Sequence, residues 1–123
     1  MENIATQTLF NRIGGMHAVN AAVDIFYSKV MKDDRVNAFF RHINMEKQAG
    51  KLKAFMAFAF GAPLPYNGKA LREAHQHMKL TETHFTVVAE HLVSTLEELN
   101  VPKDLIDEVV TVVLTTRDDV LNL

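Results

Sequence analysis

The chain contains no cysteine. This absence excludes disulfide bonds, thiolate zinc sites, iron–sulfur clusters and a cysteine nucleophile. It also excludes the Cys-x-x-Cys-His attachment by which some proteins bind haem covalently. Any function of this protein must therefore use other side chains.

Charge of one sign is not in excess, and long apolar runs are missing. The 13 lysines and arginines and 15 acidic residues leave a net charge of −2. We therefore expect neither nucleic acid nor an anionic membrane as a partner. No apolar stretch approaches the length of about 20 residues that crosses a bilayer. The start of the chain also lacks the basic segment and apolar run of a secretory leader, so we expect a cytoplasmic protein.

Glycine and proline are few, and they cluster at three breaks. These are Gly14–Gly15, residues 61–68 and residues 100–102. No repeat or low-complexity segment accompanies them, and 123 residues suit one domain. We predict a single domain over residues 1–123.

Between the breaks, apolar residues recur every three or four positions, which indicates amphipathic helices. We predict helices over about 16–32, 45–60 and, shorter, 69–78. Another should begin after Thr81 as its N-cap, and the last should have Pro102 in its first turn. The valine-rich residues 109–113 would suit a strand in isolation, but their setting after Pro102 favours a helix. The predicted fold class is all-α.

One histidine falls in phase with an apolar stripe. Leu71, Ala74, His75 and Met78 share a helix face, so His75 should point inward. His77 lies about 200° around the helix from His75 and should point away. An inward histidine can ligate a metal, or it can be a core residue bonded to a backbone carbonyl. The pattern alone leaves both interpretations open.

Three further polar residues interrupt apolar faces. Tyr27 lies in the first helical stripe, and Gln48 and Lys51 extend the face of Leu52 and Phe55. Each has an ordinary interpretation, as a core tyrosine or as a solvated helix edge. Together they indicate a polar pocket. The other histidines have no metal-ligand spacing and are interpreted as surface or structural residues: His17, His42, His84 and His91.

Seven landmarks occur in order along the chain. They are LFNRIGG (9–15), VDIFYSKVMKDDRVNAFF (23–40), NMEKQ (44–48), AFAFGAP (57–63), LREAHQ (71–76), THF (83–85) and DVLNL at the end. In order, spacing and helical phase they resemble a group I truncated haemoglobin over nearly the whole length. The resemblance implies an all-α, two-over-two helical sandwich around haem b, and a monomer. No histidine occurs in the last helix, so the histidine–haem crosslink of some cyanobacterial members should be absent and the haem non-covalently bound.

The resemblance also assigns roles to residues. His75 matches the proximal iron ligand, and Tyr27 and Gln48 match the side chains that stabilise a bound gas. Leu52 takes a second distal position, which is often glutamine in relatives. The expected haem contacts are Phe40, Lys47, Lys51, Leu52, Phe55, Leu71, His75, Met78 and Phe85.

Lys51 replaces a histidine that serves as an internal iron ligand in some cyanobacterial members, and certain algal members use lysine there. Lys51 is therefore a candidate distal ligand, since burial and iron coordination both favour a neutral amine. In the rival interpretation Lys51 stays charged and meets a haem propionate or water, a role that Lys47 could also fill.

These assignments imply a protein that reversibly binds dioxygen, nitric oxide and carbon monoxide. Its enzymatic form would be nitric oxide dioxygenation, which needs an external reductase because the chain has no GxGxxG nucleotide fingerprint. One alternative is a six-coordinate haem protein for electron transfer or redox sensing. Another is a cofactor-free helical interaction module.

Overall fold

The computed structural model describes residues 8–61 and 68–123, and within them every regular element is helical. The all-α prediction is confirmed. The helices are α1 (Leu9–Arg12), α2 (Gly15–Met31), α3 (Met45–Gly61), α4 (Gly68–His75), α5 (Glu82–Glu98), α6 (Lys103–Thr115) and α7 (Arg117–Leu121). Two short 3-10 turns, Asn37–Phe40 and Gln76–Met78, supplement them. The predicted break at 61–68 lies mostly outside the described residues.

The first break is enforced by backbone geometry. Gly14 has a φ of 121° and Gly15 a φ of 69°, values that favour glycine. A Cβ atom on Gly14 would also lie only 2.9 Å from the Cβ of Ala18. This pair therefore ends α1 and starts α2, as the sequence predicted.

Thr81 caps α5 as predicted, with an unusual partner. The backbone N–H of His84 donates to the Thr81 hydroxyl (3.3 Å), and the backbone N–H of Thr81 donates to Nδ1 of His84 (3.1 Å). This reciprocal capping box uses histidine where glutamate or glutamine is common.

Two predicted boundaries move slightly. Pro102 is the N-cap of α6 rather than part of its first turn, so the helix starts at Lys103. The predicted helix over 69–78 is α-helical only to His75, and the chain continues as a 3-10 turn that stops at Lys79 in the left-handed region (φ 53°).

The core forms where α2 packs on α3 and α5, and where α5 packs on α6. Val19, Val23, Val30 and Val109 have no exposed surface. The valine-rich segment is thus helical and its inward face is buried, as its setting predicted. Of the helices in the described part of the chain, none combines the length and apolar character of a membrane span.

An ion-pair cluster ties the end of α2 to α5. Asp33 accepts from Nε (3.0 Å) and Nη2 (2.8 Å) of Arg35, and its carboxylate lies 2.7 Å from Nε2 of His91. The hydrogen bonds from Arg35, and then that from His91, hold the pKa of Asp33 well below its ordinary value. The carboxylate therefore stabilises the fold when it is ionised.

Candidate functional site: a cavity lined by His75, Tyr27 and Gln48

A cavity of about 570 Å³ lies among helices α2 to α7 and is walled mainly by apolar side chains. Its volume suits a small-molecule or cofactor site. It is lined by the apolar residues that the resemblance assigned to haem contact: Phe40, Leu52, Phe55, Leu71, Met78 and Phe85. These residues come from both 3-10 turns and from α3, α4 and α5, so the fold brings five separate elements to one cavity.

The polar lining of this cavity is neutral or basic. It consists of Tyr27, Gln48, Lys51, His75, His77, His84 and Thr116. No aspartate or glutamate lines the cavity among the residues that the structure describes. Apolar walls with basic side chains suit an apolar ligand that carries acidic groups.

His75 is the last residue of α4 and is half-buried at the cavity wall. Its Nδ1 lies 2.8 Å from the backbone carbonyl oxygen of Leu71. Because a carbonyl can only accept, Nδ1 donates, and in the neutral imidazole Nε2 then holds the lone pair. This is the arrangement that fixes ring and tautomer in metal-ligating histidines. His75 therefore makes the carbonyl hydrogen bond expected of a core histidine and also has a second ring nitrogen that could ligate a metal.

The donor set around His75 limits the kind of metal that fits. Residues 8–61 and 68–123 contain no group of three or more His, Asp or Glu side chains that could hold an ion. A single imidazole at an apolar wall suits a metal that brings its own equatorial ligands. The site therefore fits the haem that the resemblance implies.

Tyr27 and Gln48 form a hydrogen-bonded pair at the same cavity. Nε2 of Gln48 donates to the Tyr27 hydroxyl at 3.2 Å. The Tyr27 ring is held by edge contacts with Phe26 (centroids 5.1 Å apart) and Phe40 (5.7 Å). Since the hydroxyl accepts from Gln48, its own proton is free to be donated to a guest.

Burial raises the pKa of Tyr27 above its ordinary value, and the hydrogen bond from Gln48 opposes that effect more weakly. The hydroxyl consequently stays protonated at neutral pH. It remains a hydrogen-bond donor over the whole physiological range.

The two candidate lysines differ in position. Lys51 lines the cavity, but its side chain is exposed rather than buried as the ligation hypothesis assumed. Lys47 is exposed and does not line the cavity. Lys51 is therefore the one of the two that borders the space available to a ligand.

Two further histidines border the cavity. His77, which was predicted to point away from the face of His75, is exposed and lies at the border of the cavity, where the chain has become a 3-10 turn. His84 also lines the cavity, and its ring meets Phe39 edge-on at 4.9 Å. Its position three residues after the N-cap Thr81 was the signal available in the sequence.

Comparison with known proteins gives one consistent result. The family described as Bacterial-like globin matches residues 8–122. The Group 1 truncated hemoglobin of Tetrahymena thermophila is 43% identical over 114 residues, covering 93% of this chain and 94% of that protein. The Group 1 truncated hemoglobin GlbN of Synechocystis is 46% identical over 109 residues, covering 85% and 88%.

Solved structures agree over a similar span. A 2/2 hemoglobin from Synechococcus, in the cyanomet state with covalently attached heme, superposes with a TM-score of 0.88 at 48% identity, covering 94% of this chain and 99% of that one. The Fe(III) form of the truncated hemoglobin from Tetrahymena pyriformis gives 0.86 at 40% identity, covering 94% and 98%. The likeness thus extends through sequence and backbone alike.

Proposed function

The chain belongs to the bacterial-like globin family as a group 1 truncated haemoglobin, and on that premise we propose that it holds haem b through His75 and reversibly binds dioxygen. The observation that carries this proposal is the orientation of one imidazole. The Nδ1 bond of His75 to Leu71 leaves Nε2 available at the wall of a 570 Å³ apolar cavity.

The apolar walls would hold the macrocycle. Phe40, Leu52, Phe55 and Phe85 present flat or branched apolar surface to the cavity, and burial of such surface stabilises by about 25 cal/mol per Å². Haem iron, when bound, supplies a coordination position for a diatomic gas. His75 would supply the protein's own ligand, made more basic by the Leu71 carbonyl.

Tyr27 and Gln48 would act on the gas. The Tyr27 proton is free to donate, and a hydrogen bond to a charged or strongly polarised group contributes about 1.5–3 kcal/mol. Leu52 lines the same cavity and offers no hydrogen bond. The pair of Tyr27 and Gln48 would therefore account for most of the polar stabilisation of dioxygen, with nitric oxide and carbon monoxide as further ligands.

We propose that the haem is not covalently attached. The chain has no cysteine, and residues 102–123 contain no histidine. Acid extraction of the loaded protein should release unmodified haem b and leave a polypeptide of unchanged mass. A polypeptide heavier by the mass of haem would contradict this proposal.

The test of gas binding uses protein loaded with haemin and reduced under nitrogen. Addition of dioxygen or carbon monoxide should change the visible spectrum, and removal of the gas should restore it. Sedimentation of the same sample should give a monomer, as we propose for this chain. A loaded, reduced protein with a spectrum insensitive to both gases would overturn the proposal.

Nitric oxide dioxygenation is the enzymatic extension of the same proposal. Nitric oxide, dioxygen and one electron give nitrate, so turnover requires an external reductase. Nitric oxide consumption that yields stoichiometric nitrate, and that depends on an added reductase, would support the extension. Consumption without nitrate would contradict it.

An alternative function follows from Lys51, which borders the same cavity as His75. If its amine is a second protein ligand in both oxidation states, the site suits electron transfer or redox sensing. Slow binding of carbon monoxide to the reduced protein, accelerated in Lys51→Ala, would favour this alternative. Fast binding in the unmodified protein would argue against it.

A further inference from the structure

We infer that Arg72 is a positioning residue for His75: it anchors α4 to the C-terminal helix α7, and this anchor sets the orientation of the imidazole. The inference rests on the proposed role of His75 as iron ligand. It concerns a cluster of contacts outside the cavity, formed by Arg72, Asp119, Asn122 and Leu123.

Arg72 makes three directed contacts with this end of the chain. Its Nε donates to Oδ1 of Asp119 at 2.7 Å, and its Nη2 donates to the backbone carbonyl of Leu123 at 2.6 Å. Its own carbonyl accepts from Nδ2 of Asn122 at 3.3 Å. The guanidinium fork thus reaches a side chain and a backbone group at once, which an ammonium could not do with the same geometry.

The chain after α7 is shaped to make these contacts. Asn122 adopts the left-handed conformation (φ 59°), and the N–H of Leu123 donates to the carbonyl of Asp118 at 2.9 Å. This closure holds the Leu123 carbonyl in place for Arg72. The anchor is partly shielded, with side-chain exposures of 39% for Arg72 and 23% for Asp119.

The anchor lies next to the group that orients His75. Arg72 follows Leu71, whose carbonyl accepts from the His75 ring at 2.8 Å. Asn122 holds the carbonyl of Arg72, one peptide further along. Any displacement of this turn of α4 therefore moves the Leu71 carbonyl and, with it, the plane of the imidazole.

α4 depends strongly on this support. It has only eight residues, and a helix of that length is marginal without tertiary packing. In the described part of the chain, α7 is the helix against which α4 chiefly packs. Val120 of α7 also lines the cavity that His75 lines. The C-terminal helix therefore supports both a wall of the cavity and the residue proposed to bind iron.

The experiment compares Arg72→Ala and Asp119→Asn with a matched control, Arg12→Ala. Arg12 makes a bidentate pair with Glu108 (3.0 and 2.8 Å) that joins α1 to α6, with comparable exposure of 36% and 44%. The control removes an arginine ion pair without touching α4. Asp119→Asn keeps the side-chain shape, so it serves if Arg72→Ala does not fold.

The readouts are the iron–imidazole stretching band in the resonance Raman spectrum and the rate of haemin loss to excess apomyoglobin. The band is recorded in the reduced, haemin-loaded protein directly after photolysis of carbon monoxide. We expect Arg72→Ala and Asp119→Asn each to shift or broaden the band and to speed haemin loss by up to about tenfold, the lower end of outer-shell effects on metal sites. Arg12→Ala should change neither readout.

The outcomes separate this inference from the proposed function. An iron–imidazole band that is unchanged in Arg72→Ala and Asp119→Asn would overturn the anchor and leave His75 as the ligand. Equal changes in Arg12→Ala would show that the effect is general stability, which also overturns the inference. Absence of an iron–imidazole band in the unmodified protein would refute the proposed function itself.

Discussion

Replacement of Tyr27 by phenylalanine should speed dioxygen release from the loaded protein. The substitution removes one hydroxyl and keeps the ring, which packs edge-on against Phe26 and Phe40 at 5.1 and 5.7 Å. The hydroxyl accepts from Gln48 at 3.2 Å, so its proton is directed elsewhere in the cavity. The change therefore tests one hydrogen bond in a nearly unaltered cavity.

The magnitude follows from that bond. A hydrogen bond to a charged or strongly polarised group contributes about 1.5–3 kcal/mol, and each 1.4 kcal/mol corresponds to about tenfold in an equilibrium. The dioxygen dissociation rate should thus rise by between about tenfold and a hundredfold. Carbon monoxide, which is less polar when bound, should be released at a rate that changes much less.

The assay is stopped-flow displacement of dioxygen by carbon monoxide in Tyr27→Phe, Gln48→Leu and the double variant. Residues that act on one ligand should show non-additive effects in this cycle. A dioxygen dissociation rate in Tyr27→Phe no faster than in the unmodified protein would refute the reasoning. Strictly additive single effects would show that the two side chains do not act together.

Three further changes test other parts of the molecule. Lys51→Ala should change the absorption spectrum of the ferric, haemin-loaded protein and Lys47→Ala should leave it unchanged, because of these two lysines only Lys51 borders the cavity. A spectrum that is unaltered in Lys51→Ala rejects ligation. Asp33→Asn should lower the free energy of unfolding at pH 7, because the ionised carboxylate of Asp33 is paired with Arg35 and His91. The difference in this free energy between the variant and the unmodified protein should shrink as pH falls below about 3.9, the ordinary pKa of an aspartate. Urea titrations at pH 7 and pH 3 measure this, with Asp34→Asn as control, and a pH-independent difference contradicts it. Thr81→Ala removes the cap of α5 and should cost about 1 kcal/mol in the same titration; a loss below about 0.3 kcal/mol would show that the cap contributes little.

The helical periodicity was sufficient to predict most of the fold. α2 and α3 begin and end within one residue of the predicted bounds, and α5 begins directly after its predicted N-cap Thr81. The truncated-globin resemblance is confirmed by the comparisons. The same periodicity correctly turned His75 toward the cavity, because α4 is a regular helix up to that residue.

The prediction that His77 points away rested on a helix that ends earlier than expected. It assumed that α4 continues to Met78, whereas the left-handed Lys79 closes a 3-10 turn directly after the helix. Nothing in the pattern Gln76–Met78 distinguishes these two helix types. Helical periodicity therefore does not predict side-chain direction well within one turn of a helix end.

The contacts of individual side chains were harder to predict than the helix faces on which those side chains lie. The contacts of Arg72 with Asp119 and Leu123 join residues about fifty positions apart, and no periodicity relates them. Lys51 lines the cavity and is nevertheless exposed, a combination that its helix face alone does not predict. These features require the tertiary arrangement.

The central claim is that the imidazole of residue 75 reaches iron, and a haemin titration tests it most directly. Unmodified protein and His77→Ala, whose replaced histidine borders the same cavity, should each give a sharp Soret band that saturates at one equivalent. His75→Ala should lose that band, and added imidazole should restore it. A Soret band in His75→Ala that matches the unmodified protein in position, intensity and stoichiometry would contradict the account.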